Sequence, residues 1–247
     1  MELIHGDCLE KMRDIPDKSI DMVLCDLPYG TTACKWDVVI PFEPLWEQYK
    51  RIIKNRGAIV LFGSQPFTTV MINSNIRLFH HSWVWAKRFA GNYAQAKTHP
   101  QKVHEDIVIF GDRVKYYPQK TQRDKPIKKG KNAGGSIYGG VSGLGREDYH
   151  GKIYTDKYPE SILHYSSRSD VRIHPTQKPV ALLEYLIKTY TLEGETVLDN
   201  CMGSGSTGIA CINTNRNFIG IEKEDKYFEI AKKRVADAIK DSETKLF

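Results

Sequence analysis

Cysteines are few in this sequence, and long hydrophobic runs are absent. The 247 residues include five cysteines, none of them in a Cys-x-x-Cys pair. Unpaired thiols in an odd number are typical of a reducing compartment, and zinc sites usually need paired ligands, so we expect no metal site. The strongest apolar runs, such as residues 58–62, are far shorter than the ~20 residues of a membrane helix. The first residues also lack the layout of a signal peptide, and we expect a soluble, cytoplasmic protein.

Acidic residues are scarce in one stretch of the chain. Residues 111–131 hold eight Lys and Arg against Asp112 and Asp124, so this stretch alone accounts for the net charge of +6. Such a concentration of positive charge suggests a polyanionic partner. A solvated loop explains the charge equally well, and charge alone leaves both interpretations open.

Elsewhere, strand-like and helix-like segments alternate. Runs rich in β-branched and aromatic residues predict strands at 2–5, 21–25, 58–62, 81–85 and 106–110, and a further strand at 217–222. Helical patterns occur at 8–14, 44–53 and 65–74, after the proline of HPTQKP, after the glycines near residue 205, and from about residue 224. This alternation predicts an α/β fold with a doubly wound, mostly parallel sheet.

Residues 111–172 interrupt the alternation. Eight glycines lie between residues 130 and 151, and seven of the thirteen tyrosines lie between residues 116 and 165. We therefore predict one domain made of residues 1–110 and 173–247, with residues 111–172 as a basic insertion. We expect part of this insertion to be disordered.

A glycine-rich turn follows one predicted strand, in the sequence VLDNCMGSGSTGIA. Asp199 ends the strand, and Gly203, Gly205 and Thr207 lead into a helix. Glycines let the backbone approach a ligand, and the amides at a helix N-terminus favour polar or anionic groups. The next strand ends at Glu222, where a carboxylate can accept hydrogen bonds from ribose hydroxyls.

The same turn also fits a different class of enzyme. Gly203, Gly205 and Gly208 complete the Gly-x-Gly-x-x-Gly pattern of NAD-binding folds. The Gly-Lys-Ser/Thr of a Walker loop is missing. On this turn alone, a nicotinamide-dependent oxidoreductase stays open.

A second motif, CDLPYG at residues 25–30, favours another family. Asp-Leu-Pro-Tyr resembles the Asp-Pro-Pro-Tyr motif of enzymes that methylate exocyclic amino groups of DNA bases. LDNCMGSGST resembles their S-adenosylmethionine (AdoMet) motif, HPTQKP the segment that precedes it, and IHGDCLEKM their opening segment. The catalytic motif comes before the AdoMet motif, as in the β group of DNA amino-methyltransferases. This implies a Rossmann-like methyltransferase fold with circularly permuted motifs, in which the insertion is the target-recognition region.

The resemblance implies a catalytic role for four residues. An exocyclic amino nitrogen is a weak nucleophile because its lone pair is delocalised into the ring. Asp26 and the backbone carbonyl of Leu27 would accept hydrogen bonds from the amino group, with Pro28 as a brace and Tyr29 stacked on a base flipped out of the duplex. Leu27 stands where the family has a proline and costs the motif some rigidity, which Pro28 partly restores. A methylation-defective DNA-binding relative is therefore an alternative.

The implied cofactor is AdoMet. Its candidate ligands are Asp7 and Cys8 near the adenine, Lys178 at the carboxylate, Asp199, Met202, Gly203, Gly205 and Thr207 at the methionine part, and Glu222 at the ribose. Asp at the first motif position resembles adenine-specific members, whereas Ser is usual in cytosine-N4 enzymes. We predict adenine N6 in double-stranded DNA as the target and keep cytosine N4 as the alternative.

The insertion supplies the candidate phosphate contacts, which would make DNA binding depend on salt. They are Lys120, Arg123, Lys128, Lys129 and Lys131. Related Asn-Pro-Pro-Tyr enzymes that act on RNA or protein amides are less favoured, since their AdoMet motif commonly comes first. No membrane or metal partner is implied, and because dimers are common in the family, a homodimer stays open.

Overall fold

The computed structural model describes residues 1–30, 37–128, 153–166 and 177–244. Lys129 and Lys131, residues 174–176 of HPTQKP and the glycine-rich stretch predicted to be partly disordered lie outside these ranges. The chain divides into two compact units, Met1–Tyr117 with Ser161–Phe247, and Pro118–Glu160.

The strands build one large sheet in the first unit and one antiparallel pair in the second. The described strands are β1 (Glu2–His5), β2 (Ile20–Cys25), β3 (Ile53–Gly63), β4 (Phe79–Ala86), β5 (His104–Phe110), β6 (Thr121–Lys128), β7 (Ile153–Lys157), β8 (Ile162–His164), β9 (Thr196–Asp199) and β10 (Asn217–Glu222). The large sheet has the order β1-β10-β9-β2-β3-β5-β4-β8, and β6 pairs with β7.

Helices cover both faces of the large sheet. They are α1 (Cys8–Lys11), α2 (Phe42–Ile52), α3 (Phe67–Ser74), α4 (Val180–Tyr190), α5 (Ser206–Asn213) and α6 (Asp225–Thr244). Along β2, Met22 and Leu24 belong to the core shared with α4, whereas Val23 and Cys25 belong to the core shared with α2. A strand that is buried on both faces reads as a continuous apolar run, as this one does. The predicted doubly wound, mostly parallel α/β fold is confirmed.

Three strands are absent from the sequence prediction, and β3 begins earlier than predicted. β6, β7 and β8 lie within residues 111–172. No strand was predicted there, because most of the side chains are exposed and lack the apolar pattern of a core strand. β8 pairs with β4 in the large sheet. β3 begins at Ile53, well before the predicted residue 58, and its early polar residue Lys54 forms an ion pair with Asp21 at 2.6 Å.

Strand directions place the functional motifs along one edge of the large sheet. In that sheet, β5 runs antiparallel to both its neighbours, and the other seven strands run in a common direction. The carboxyl ends of these seven strands therefore share an edge with the amino end of β5. β2 and β9 are neighbours in the sheet. The chain passes from β2 to β3 on one side of this pair, and from β9 to β10 on the other side. Ligands of α/β proteins bind at such a switch point.

We expect the buried hydroxyl of Tyr190 to be important for stability. The Trp83 Nε1–H donates to this oxygen at 2.6 Å, and Tyr190 is 1% exposed. Tyr190→Phe leaves the indole N–H without its acceptor in the core, and we expect a loss of about 1–3 kcal/mol in the free energy of unfolding. Urea denaturation measures it, with Tyr93→Phe as the exposed control, expected within about 0.5 kcal/mol of wild type. Equal stability of Tyr190→Phe and wild type would contradict the prediction.

Candidate active site

A cavity of about 840 Å³ opens at the shared edge of the sheet. Residues that follow β1, β2, β9 and β10 line it, together with residues that precede α4 and begin β5. Its size suits a cofactor or drug-sized ligand, and convergent polar groups in such a cavity are typical of an active site.

The cavity brings together nearly all the predicted catalytic and cofactor residues. Those that line it are Asp7, Cys8, Asp26, Leu27, Pro28, Tyr29, Lys178, Asp199, Met202, Gly203, Thr207 and Glu222. Gly205 is not among the lining residues. It adopts a φ of +80°, and a Cβ there would lie 3.0 Å from the Cβ of Ala231, so glycine at this position lets α5 and α6 pack closely. The individual roles of these residues stay predictions.

The glycine turn is tied to the end of β10 through Glu222. The Gly203 N–H donates to Oε2 of Glu222 at 2.8 Å, and the Glu224 N–H donates to Oε1 at 2.9 Å. Burial raises the pKa of Glu222, and the two backbone N–H groups partly oppose this. A carboxylate has about four acceptor positions, so Glu222 keeps capacity for hydroxyl groups of a ligand. A Cβ on Gly203 would meet no atom within 4 Å, which leaves the turn open for close approach.

Asp199 and Arg234 hold the same turn from inside the protein. The Thr207 hydroxyl donates to Oδ2 of Asp199 at 2.6 Å, and the Cys201 N–H donates to Oδ1 at 3.1 Å. Burial raises the pKa of Asp199 to about 7. Arg234, a residue of α6 that the sequence motifs did not indicate, donates to the backbone oxygen of Ser204 at 2.6 Å. These contacts fix the turn before any ligand binds.

Asp7 and Cys8 follow β1, which lies beside β10 in the sheet, and both line the cavity. Asp7 caps α1, with its Oδ1 accepting from the Leu9 N–H at 3.0 Å, and its Oδ2 lies 3.3 Å from Nζ of Lys223. A hydrogen bond with Cys201 and burial both raise the pKa of the Cys8 thiol, which stays protonated. Across the described ranges, no group of three His, Cys, Asp or Glu side chains could hold a metal ion.

The Asp26 motif lies directly after β2. The Tyr29 hydroxyl donates to Oδ1 of Asp26 at 2.6 Å, and the Tyr29 ring stacks on Phe67 with centroids 4.8 Å apart. Leu27 is 3% exposed and packs into the core on the α2 side of the sheet. Burial of this side chain restrains the motif at the position where the family has a proline. The rigidity lost with that proline is partly replaced by packing.

A network of charged groups holds the other side of Asp26. Lys178 Nζ pairs with Oδ2 of Asp26 and lies 3.3 Å from Oε2 of Glu105, whose Oε1 pairs with Lys87. The Lys178 ammonium also lies 5.0 Å from the centroid of the Phe62 ring. Lys178 is therefore paired with two carboxylates of the protein, and its predicted contact with the AdoMet carboxylate stays a prediction.

Glu105 and Lys87 were not predicted as site residues. Glu105 lies at the amino end of β5, and the antiparallel direction of that strand brings it to the edge where the other strands end. The His-Glu before an apolar run was the available sequence signal, but it indicates the site only once the direction of β5 is known.

The described DNA-contact candidates lie in the second unit. Lys120 Nζ is 2.9 Å from Oδ2 of Asp156 and 4.6 Å from the centroid of the Tyr158 ring. Arg123 donates to the backbone oxygen of Asp156 at 2.8 Å, and Lys128 is exposed at the end of β6. Lys120, just before β6, and Arg123, on β6, thus both contact Asp156 of β7. Their contact with DNA stays a prediction.

Comparisons with known proteins agree with this arrangement. The model of a DNA methylase family matches residues 20–233. The Type II methyltransferase M.HpaI of Haemophilus parainfluenzae is 26% identical over 246 residues, covering 94% of this chain and 73% of the relative. The DNA adenine methyltransferase YhdJ of Escherichia coli K12 is 28% identical over 247 residues, covering 94% and 82%. The crystal structure of the M1.HpyAVI–SAM complex superimposes with a TM-score of 0.65 at 24% identity, covering 95% and 98%.

Proposed function

Because this chain belongs to the family of N6 and N4 DNA methylases, we propose that it transfers a methyl group from AdoMet to the N6 amino group of adenine in double-stranded DNA. One juxtaposition supports the proposal: Asp26, after β2, and Glu222, at the end of β10, line the same cavity. The first would bind the target amino group and the second the cofactor ribose. The match to YhdJ, which is named an adenine methyltransferase, supports adenine over cytosine. Membership of this family excludes the nicotinamide-dependent oxidoreductase that the glycine turn alone had left open.

The cavity fits AdoMet. Gly203 leaves the turn accessible, Glu222 keeps free acceptor capacity, and the cavity of about 840 Å³ can hold a nucleoside with its amino-acid part. Asp7 and Cys8 would hold the adenine, and Met202, Gly203 and Thr207 the methionine part. When bound, AdoMet supplies an electrophilic methyl group.

The protein's own groups activate the target nitrogen. Asp26 accepts a hydrogen bond from one amino hydrogen and the Leu27 carbonyl from the other, which draws the nitrogen toward sp3 geometry and frees its lone pair. Tyr29 fixes the carboxylate through its 2.6 Å hydrogen bond. Pro28 keeps the Leu27 backbone extended. Burial raises the pKa of Asp26, so this carboxylate is a better acceptor than a solvated one for the proton that the nitrogen loses.

Methyl transfer to unmodified plasmid tests the proposal. The protein is incubated with isotopically labelled AdoMet, and the DNA is digested to nucleosides for mass spectrometry. We expect labelled N6-methyladenine. Labelled N4-methylcytosine alone would support the cytosine alternative, and plasmid that is bound but unlabelled would support a methylation-defective DNA-binding relative.

The proposed activity requires access to DNA, and we propose the cytoplasm as its location. In the described part of the chain, no helix is both long and apolar enough to cross a membrane. Activity without a metal stays a prediction, and a homodimer stays open.

A further inference from the structure

Four charged side chains form a continuous row along one wall of the cavity. Lys87 pairs with Oε1 of Glu105, Glu105 Oε2 lies 3.3 Å from Nζ of Lys178, and that ammonium pairs with Oδ2 of Asp26. The row comes from four separate places: the end of β4, the start of β5, the residue just before Pro179, and the end of β2. All four side chains line the cavity.

We propose that Glu105 is a positioning residue for methyl transfer: it holds Lys178 at a fixed place against Asp26, and thereby fixes the direction and the charge of the catalytic carboxylate. This inference rests on the role of Asp26 in the proposed function. In the row, Lys178 lies between Glu105 and Asp26, so Glu105 acts on Asp26 through Lys178.

Burial explains why Lys178 needs two carboxylate partners. The side chains of Lys178 and Glu105 are only 9% and 14% exposed. A buried ammonium needs compensating charge and several acceptors. If Asp26 were its single partner, the ammonium would be free to move fully onto the carboxylate that the substrate has to reach. Glu105 holds Lys178 from the other side, and Lys87 completes a row with no net charge.

Each member of the row affects the protonation of the next. Burial raises the pKa of Asp26, the Lys178 charge opposes this, and the Glu105 charge adds to it. Burial alone would lower the pKa of Lys178, but Asp26 and Glu105 outweigh it and raise the pKa. Burial alone would raise the pKa of Glu105, but Lys178 and Lys87 outweigh it and lower the pKa. The neighbouring charges therefore favour the charged forms of Lys178 and Glu105, whereas burial opposes the ionised form of Asp26.

Two neutralising substitutions should move the pH dependence in opposite directions. Asp26 must be ionised to accept from the amino group, so kcat/KM rises with pH as this group deprotonates. This rise is the acidic limb of the pH profile, and its position follows the pKa of Asp26. Glu105→Gln removes a negative neighbour and shifts that limb to lower pH. Lys178→Gln removes a positive neighbour and shifts it to higher pH. If these side chains only held the fold together, both variants would lose folded protein, and the limb would not move in opposite directions.

Other titratable groups that face Asp26 are the same in all variants. Burial raises the pKa of the Tyr29 hydroxyl and raises that of the Cys25 thiol to about 12, so both stay neutral. Burial raises the pKa of Asp199 to about 7, and every variant keeps this group.

The experiment is a pH profile of methyl transfer for wild type, Glu105→Gln, Glu105→Asp and Lys178→Gln. We expect kcat of Glu105→Gln to fall roughly 100-fold, the loss typical of a catalytic group misplaced by about 1 Å, with KM for AdoMet within a few-fold. Glu105→Asp should recover part of kcat because it keeps the charge. Glu195→Gln is the matched control: Glu195 is 19% exposed, pairs with Lys115 at 2.6 Å and does not line the cavity. It should leave kcat and the profile unchanged.

Specific outcomes overturn the inference. Wild-type kcat and pH profile in Glu105→Gln would remove Glu105 from the reaction, and a lower kcat with an unshifted limb in folded protein would leave it a structural role only. A wild type that transfers no methyl group would contradict the proposed function instead. The row is then tested directly by NMR titration of the Asp26 carboxyl carbon, whose pKa Glu105→Gln must lower. An unchanged pKa would overturn the inference independently of activity.

Discussion

Asp26→Ala abolishes methyl transfer and leaves AdoMet affinity within a few-fold of wild type. The substitution removes the acceptor for the target amino group, and we expect kcat to fall by about 10³-fold or more, at or above the usual cost of removing one group that stabilises a transition state. AdoMet affinity is kept because most of the residues proposed to hold the cofactor lie at or after the ends of β1, β9 and β10. Asp26→Asn should fail as well. Its single amide oxygen would have to accept from the Tyr29 hydroxyl, Lys178 and the substrate together.

Labelled methyl incorporation measures kcat, and calorimetry with AdoMet measures affinity. Asp21→Asn is the matched control, because Asp21 lies at the other end of the same strand, is 4% exposed and pairs with Lys54. That variant should be less stable but keep kcat per folded molecule. Methyl transfer by Asp26→Ala at a rate comparable to wild type would show that another group binds the amino nitrogen.

Glu222→Ala weakens AdoMet binding by about 1.5–3 kcal/mol, which corresponds to a roughly 10- to 150-fold higher Kd. The variant loses the proposed acceptor for the ribose hydroxyls. It also releases the Gly203 N–H, which donates to Glu222 at 2.8 Å and ties the glycine turn to β10. At saturating AdoMet, kcat should change much less, because Asp26 and Tyr29 are untouched.

Glu222→Gln separates the two contributions. One side-chain oxygen remains, so the turn can stay tied, but the second backbone N–H faces an amide nitrogen that cannot accept it. We expect a Kd between those of wild type and Glu222→Ala. Glu229→Ala, an exposed position on α6, is the control and should bind AdoMet normally. A Kd for Glu222→Ala equal to that of wild type would exclude Glu222 from the cofactor site.

Leu27 shows what a motif can and cannot indicate. The sequence identifies a departure from the family motif and predicts a loss of rigidity, since leucine does not fix φ as proline does. The structure adds that this side chain is 3% exposed and packed in the core. The core that contains Leu27 also includes residues of α2 and α3, which lie outside the motif, so the motif alone could not show that the position is restrained.

The sequence by itself determined the strands that precede the motifs, the sites where those strands end, and the residue types placed there. These features are local: apolar runs predict strands, and acids or glycines directly after them predict groups at one edge of a parallel sheet. Only the tertiary structure determined which side chains and elements contact each other. Glu105 reaches the cavity because β5 runs antiparallel, Lys178 pairs with Asp26 across 152 positions of the chain, and Gly205 serves the packing of α5 on α6. Each of these depends on which strand or helix lies beside which, and such long-range pairings leave no periodic pattern in the residues that make them.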